Sequence, residues 1–518
     1  MALVGFFLIT IEDNIIEVRR AGFIYLACTH AGTLALFALF IFLAQCSGGF
    51  DFPAAESLSA DAGPATIIFL LALLGFGFKA GLMPLHIWLP GAHAAAPSQV
   101  SALLSGVMIK TGIYGLVRVS GFFAVPPSWW GWTILILGAI SGVMGVVFAI
   151  AQHDIKRLLA YHSVENIGII ALGLGTALLG KSFDQPLLTS LGLAGALLHV
   201  INHGLFKSLL FLGAGAVIHA TGTREIDHYG GLLRPMPWTG LCFLGGAVAI
   251  WGLPPLNGFV SEWFIYLGLF RSMESTAPVQ QLAVFAAPVL ALIGGLALAC
   301  FVKVFGATFL GSPRTDLAGA HEAPGSMRHP MTALLICCAL IGLFPAAVLP
   351  LLERALTAWT GQTVSLRLAA EVAPVGMIGW VALALVLLSA LLLLRLQQKA
   401  RQQTPRLPTW GCGYAFPGNR MQYTASSFAE MLVGLFRWGL RSDRHGERIS
   451  TVLAQPVELS THTPDTILDR GVLPLCRGSI KVCTWVRARI QNGNSGCYLL
   501  YVMLVLSTLL TLATLLRG

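Results

Sequence analysis

Apolar runs near or above about 18 residues recur along the whole chain, at about 22–44, 65–90, 100–123, 131–151, 164–180, 187–218, 237–254, 281–311, 331–351, 374–394 and 498–516. A helix of that length spans the hydrocarbon core of a bilayer, whose interior satisfies no backbone hydrogen bond. Only helices and closed barrels survive there, and a barrel needs alternating stretches of about ten residues instead of continuous ones. The sequence therefore predicts an all-α, polytopic transmembrane helix bundle. Composition agrees, with 56% of residues hydrophobic and 11% charged, against about 25% charged in a soluble domain. A water-soluble globule is excluded.

The formal net charge is +9, and the excess sits in loops: Arg19 and Arg20, Lys156 and Arg157, and the run Arg395–Arg406. Basic loops mark the cytoplasmic side. With Arg19 and Arg20 inside, the acidic loop DFPAAESLSADAGP falls outside, and Lys156, Arg157, Arg224 and Arg234 fall inside again. No basic patch interleaved with aromatics points to nucleic acid. The ten cysteines (28, 46, 242, 300, 337, 338, 412, 476, 483 and 497) form no C-x-x-C pair and no metal-like spacing. No zinc, haem or iron–sulfur centre is expected in this chain. The opening MALVGFFLIT is too short for a span and lacks a basic leader and a small-residue cleavage site; it reads as the tail of a helix whose beginning is missing.

Two stretches share one anatomy, apolar sequence around a glycine-containing patch with a single lysine: GFGFKAGLMP at 75–84 and GGLALACFVKVFGATFLG at 294–311. Broken helices at corresponding positions in two halves are the mark of inverted repeats, so discontinuous helices are expected. GLPPLNGF at 252–259 could also interrupt a segment. The expected organisation is a core over 1–311, further transmembrane helices over 312–394, a cytoplasmic extension over 395–497 and a terminal transmembrane helix over 498–518.

Four of the eight lysines, Lys79, Lys110, Lys207 and Lys303, lie inside apolar runs. An ammonium at the bilayer centre costs about 2.5–3.5 kcal/mol on insertion scales, so such groups face a protein interior or water and mark ion paths. Lysine differs from arginine in that burial brings its protonation equilibrium toward neutral pH, where it takes up and releases protons. Four such groups could form a relay; alternatively each could snorkel to an interface or pair with a loop carboxylate. His199, His203 and Lys207 are spaced i, i+4, i+8, which stacks three titratable side chains on one helix face. That ladder suits proton hopping, a zinc site, or two interior histidines bonded to backbone. His86 and His93 flank a bend rich in proline (Pro84, Pro90, Pro97) and either extend the relay or bond the carbonyls that the prolines release. Asp154 and Glu165 are placed at a cytoplasmic edge, Asp154 as a salt-bridged anchor. Glu262 follows the Pro-Pro turn as an access or structural group. No catalytic or metal-ligating constellation emerges.

The stretches FGFKAGLMPLHIWLPGAHAAAPSQVSALLSGVMIKTGIYGL, HDIKRLLAYHSVENIG, HVINHGLFKSLLFLGAGAV and GLPPLNGFVSEW together resemble the antiporter-like, proton-translocating membrane subunits shared by respiratory complex I, multisubunit cation/proton antiporters and membrane-bound hydrogenases. The resemblance covers most of residues 1–311. It implies that Lys79 is the lysine of a broken helix, Lys110 the next relay lysine, and His199, His203 and Lys207 the central hydrophilic axis. Lys303 looks like the terminal lysine of a second broken helix, with His86, His93, Glu165 and Glu262 accessory. CFVKVFGATFLGSPR and TWGCGYAFPGNRMQYTASSFAE look most like the large antiporter-like subunit of group 4 hydrogenases, of the hydrogenase-4 and formate hydrogenlyase type.

That likeness implies a non-redox subunit of an oxidoreductase complex in the bacterial inner membrane, multi-pass, with other membrane and soluble hydrogenase subunits as partners. Iron–sulfur clusters and a nickel–iron site are then expected in those partners. Alternatives are a cation/proton antiporter subunit, a complex I-type NADH:quinone oxidoreductase membrane subunit, and a non-pumping scaffold. The family places a glutamate before the stretch resembling MALVGFFLIT as partner of the broken-helix lysine. Here Glu12, Asp13 and Glu17 are expected in a loop beyond it, so the chain reads as lacking several N-terminal helices and that acid.

Overall fold

The structure, a computed structural model, describes residues 2–60, 63–317, 319–362, 373–403, 414, 418, 421–445, 460–491 and 493–515. Two compact units divide the chain, Met1–Thr463 and Pro464–Gly518. Among the described residues ten helices are long and apolar enough to cross a membrane. The protein is a multi-pass, all-α membrane bundle.

The first unit opens with α1 (Ala2–Ile9), α2 (Ile16–Ser47), α3 (Gly63–Ala80) and α4 (Leu89–Ala95). Glu17, expected in a loop, lies in the first turn of α2. The next span, Ser98–Ser120, comprises α5 (Ser98–Leu103), a π turn at Leu104–Met108 and α6 (Lys110–Ser120). Three long helices follow: α7 (Ser128–Ile150), α8 (Ile155–Ser182) and α9 (Pro186–Thr221). Then come α10 (Pro237–Ile250), α11 (Asn257–Arg271) and the short α12 (Pro278–Gln281), which leads through a 3₁₀ turn into α13 (Ala286–Phe309). Further on lie α14 (Gly325–Leu343), α15 (Leu349–Thr360) and α16 (Val375–Gln403). The unit closes with α17 (Ala425–Leu435), α18 (Arg437–Leu440) and a two-stranded antiparallel ribbon of β1 (Asp443–His445) and β2 (Ser460–His462).

The central post is α8. Its N-cap is Asp154, whose Oδ1 accepts the backbone N–H groups of Lys156 at 2.8 Å and Arg157 at 2.9 Å, so this residue caps a helix where an ion pair was expected. Every residue of its most apolar window is buried. Glycines let the flanking helices come close, since without a hydrophobic force between helices in lipid, tight backbone contact drives association. A Cβ on Gly145 of α7 would lie 2.6 Å from Glu165 N, and one on Gly168 would lie 2.4 Å from Gly142 N.

Two elements are interrupted. Between α3 and α4 the chain turns at Gly81, with φ of 75°, and between α10 and α11 it turns through Gly252, with φ of 65°, and Pro254–Pro255. Prolines remove N–H donors, and glycine tolerates the left-handed backbone. The second interruption expected at 294–311 is absent: α13 runs unbroken through Lys303. Gly294, Gly295 and Gly306 sit in open space, and isolated glycines weaken a helix by about 1 kcal/mol each without removing any hydrogen bond.

The second unit holds α19 (Leu473–Ile490) and α20 (Ser495–Leu515). Basic residues Arg477, Lys481, Arg487 and Arg489 lie along α19, whereas α20 is predominantly apolar and carries no charged residue. Much of the polar sequence between 404 and 459, including Cys412, lies outside the described residues.

Candidate functional site

Helix ends supply the acceptors for two buried lysines. Lys303 Nζ donates to Ile150 O at 2.7 Å and Gln152 O at 2.9 Å. These carbonyls close α7, where the last C=O groups have no helical partner and the macrodipole is negative. Lys156 Nζ likewise donates to Ala96 O and, at 3.4 Å, to Ala94 O at the end of α4, joined by Arg224 Nη1 on Ala94 O at 2.6 Å. Lys156, which reads in the sequence as part of a basic loop, is buried.

The π turn ahead of α6 sets up Lys110. A π turn leaves carbonyls without their usual partners, and Lys110 Nζ donates to Ser105 O within it. Ser105 Oγ lies 2.8 Å from Ser163 Oγ on α8. Ser163 Oγ donates in turn to Leu159 O at 3.2 Å, and the same carbonyl accepts Lys207 Nζ from α9 at 2.5 Å. Two lysines on different helices are thus joined through two hydroxyls and two carbonyls. They also lie close enough to repel one another when both are charged.

Lys207 lies within electrostatic reach of Glu165 and 5.6 Å above the Phe211 ring. His93 stacks on that ring at 5.0 Å. Above Lys207 on α9, His203 and His199 are stacked with ring centroids 6.5 Å apart. His199 Nε2 donates to Asn166 Oδ1 at 3.1 Å, and its Nδ1 is 3.0 Å from Ser261 Oγ. Asn202 clips the interrupted segment to α9: its Nδ2 donates to Asn257 O at 2.7 Å and to Ser261 Oγ at 3.0 Å, and its Oδ1 accepts Asn257 Nδ2 at 3.1 Å. His162 Nδ1 donates to the Glu165 carboxylate, and its ring packs 4.6 Å from Phe301 on α13. Among the described residues, the ring nitrogens of His93 and His203 are buried with no hydrogen-bond partner.

The structure therefore gathers Lys110, His93, His199, His203, Lys207 and Glu165 into one buried polar seam. Glu165, expected at a cytoplasmic edge, lies in the middle of it because α8 is enclosed on every side. Glu262 lies on α11, near enough to Glu165 for repulsion, and its carboxylate rests against Gly252, where a Cβ would be 2.4 Å from Oε2. His86 is buried beside Tyr161. Lys303 stands at the end of α7, on an unbroken helix. Lys79 is half-buried at the end of α3 and has no ion-pair or hydrogen-bond partner among the described residues.

Sequence reading missed Ser105, His162, Ser163, Asn166, Asn202, Asn257 and Ser261. The signal existed: each is an uncharged or titratable polar group in a largely apolar stretch, and Asn202 stands three residues after His199, as Ser261 stands four after Asn257. Spacing along one helix could not reveal that Ser105 and Ser163 meet across two.

A bundle of apolar helices, two of them interrupted, with lysines and histidines hydrogen-bonded across its interior, defines an antiporter-like membrane protein. A family model described as NADH:quinone oxidoreductase/Mrp antiporter, TM, matches residues 1–305, and the chain belongs to this family. Hydrogenase-4 component B of Escherichia coli (strain K12) is 38% identical over 528 residues, covering 98% of this chain and 78% of the relative. Formate hydrogenlyase subunit 3 of the same organism is 43% identical over 338 residues, covering 65% of this chain and 56% of the relative. A chain of the membrane-bound sulfane sulfur reductase, an archaeal respiratory membrane complex, shares the fold with a TM-score of 0.74 at 23% identity, over 99% of this chain and 79% of that one.

Proposed function

We propose that the chain is the proton-conducting membrane subunit of a group 4 hydrogenase complex of the bacterial inner membrane, with Lys79, Lys110, His199, His203, Lys207 and Lys303 as its relay. The similarity to hydrogenase-4 component B and formate hydrogenlyase subunit 3 supports the choice of complex. One observation carries the relay: Lys110 and Lys207 are linked through Ser105, Ser163 and the Leu159 carbonyl. Buried polar atoms find partners in protein or ordered water, so the unpartnered imidazole nitrogens of His93 and His203 fit a hydrated seam. Protonating one lysine in a low-dielectric interior raises the cost of charging the next, and a disturbance at one end propagates as alternating uptake and release. The electrons, and the iron–sulfur and nickel–iron centres that carry them, are assigned to partner subunits.

Replacing Lys207 with Met in the assembled complex should abolish proton uptake into inside-out vesicles while hydrogen turnover and subunit assembly persist. Wild-type uptake in that variant would refute the relay. Sodium-dependent proton movement by the purified chain would favour a cation/proton antiporter instead.

A further inference from the structure

At the ends of α7 and α13 a second titratable cluster lies outside the seam. The link from α7 to α8 presents the carbonyls of Ile150 and Gln152 inward to Lys303 and the side chain of His153 outward. His153 Nδ1 lies 3.7 Å from Asp227 Oδ2 and 3.2 Å from Ser426 Oγ, and its Nε2 lies 3.0 Å from Thr461 Oγ1. Asp227 accepts the backbone N–H of Ala425 at 2.6 Å and the Ser426 hydroxyl, so it anchors the start of α17. About a quarter of each side chain of the pair is exposed, 22% for His153 and 27% for Asp227. The pair therefore touches water on one side, while Lys303 on the other is buried. Lys303 is within electrostatic reach of both, repelling protonated His153 and attracting Asp227.

We propose that His153 and Asp227, covered by Ser426 at the start of α17, form the gate through which Lys303 exchanges protons with the aqueous face. This rests on the relay reading above. The charged and titratable groups facing His153 are Lys303 from α13, Asp227 from the loop before α10, and His462 from β2. Burial holds the imidazole below its ordinary 6.5, the Lys303 charge adds to that, and Asp227 opposes both. When Lys303 is charged, His153 stays neutral; when Lys303 has passed its proton inward, the repulsion is gone and His153 takes a proton from water. The imidazolium then releases that proton, by way of water between the two groups, to the neutral Lys303 amine and returns to its neutral form, so one proton has moved and neither group has gained net charge over the cycle. Asp227 stabilises the transient imidazolium, and the Ser426 hydroxyl, bound to the carboxylate and beside Nδ1, fixes the pair's geometry.

The cover is a strap formed by this chain. Arg314 Nη2 donates to Tyr423 O at 2.8 Å while its Nη1 holds Tyr229 O and Ala307 O, each at 2.7 Å. Thr424 and Ser427 form a capping box that starts α17 in place. Displacing the strap would widen the pair's contact with water, so the segment after residue 420 sets the ease of access to Lys303.

The test is proton uptake by inside-out vesicles holding the assembled complex, with Lys207→Met measured in parallel. His153→Gln should lower uptake roughly a hundredfold, the scale of one lost acid–base group, and His153→Ala should be rescued by millimolar imidazole added on the exposed side. Ser426→Ala, which removes one hydroxyl at the protein edge, should move the pH dependence of uptake and leave assembly intact. Normal uptake in His153→Gln, or a loss that imidazole fails to rescue with an unmoved pH profile in Ser426→Ala, overturns the gate. If Lys207→Met is inactive while His153→Gln is normal, the gate fails and the relay stands; if Lys207→Met pumps normally, the relay itself fails.

Discussion

Replacing Asn202 with Leu tests whether polar side chains hold the interrupted α10–α11 segment in register with α9. The side chains are similar in size, so the change removes hydrogen bonds with little change of volume. Three bonds are lost, two donated by Nδ2 and one accepted by Oδ1. Interhelical side-chain bonds inside membranes average about 0.6 kcal/mol each, up to about 1.7, which gives a loss of about 2 kcal/mol. That is about a 30-fold shift in the folding equilibrium. Equilibrium unfolding of the detergent-solubilised protein should measure it, with Asn257→Leu and the double variant completing a cycle. Because Asn257 Nδ2 donates to Asn202 Oδ1, the double loss should fall short of the sum of the singles by more than about 0.5 kcal/mol. Ser261, freed of Asn202, should also loosen its hold on His199, so proton uptake should slow in the same variant. Wild-type stability in Asn202→Leu, or strict additivity in the cycle, would refute the argument that these amides clip the break to α9.

Gly145→Val should destabilise the bundle by about 1–3 kcal/mol, because its Cβ falls 2.6 Å from the backbone of Glu165, whereas Gly294→Ala, with open space around it, should be neutral or stabilise by about 0.5–1 kcal/mol; thermal unfolding of the two distinguishes them, and equal losses would sink the packing account. His153 gives a pH signature: its folded-state value lies below 6.5, from burial first and Lys303 second. It therefore contributes stability that is present above about pH 6.5 and is lost as pH falls through the folded value. His153→Gln should flatten the decline in melting temperature on the acid side, and an unchanged slope would contradict the assignment.

The all-α membrane bundle was legible because hydrocarbon leaves so few ways to satisfy backbone groups. The lysines and the His199–His203–Lys207 ladder were legible for the same reason, since ions in apolar runs must be accommodated. Reading failed where the answer depends on which helices meet. Lys303 sits in a glycine-flanked stretch that looks breakable, yet its helix is continuous and its ammonium caps α7, a partner some 150 residues earlier in sequence. Lys156 reads as a solvent-facing orientation signal, but the short α4, created by the interruption after α3, brings unpaired carbonyls to it. Glu165 looks peripheral because it follows a basic loop closely, and only the packing of helices around α8 places it inside. Motifs fixed on one helix were visible; acceptors supplied by the ends of others were not.

The π turn at Leu104–Met108 has a consequence for how the chain tolerates length change. Such a turn holds one residue more than the regular helix would, and each residue of an α-helix advances the azimuth by about 100°. Deleting one residue of that turn would restore the ordinary ladder and leave α6, with Lys110, at its present azimuth, while returning the Ser105 carbonyl that now receives the ammonium to a regular backbone partner. A one-codon deletion there would leave a span as apolar as before and one residue shorter, with its ammonium on the same face but without the open carbonyl that holds it.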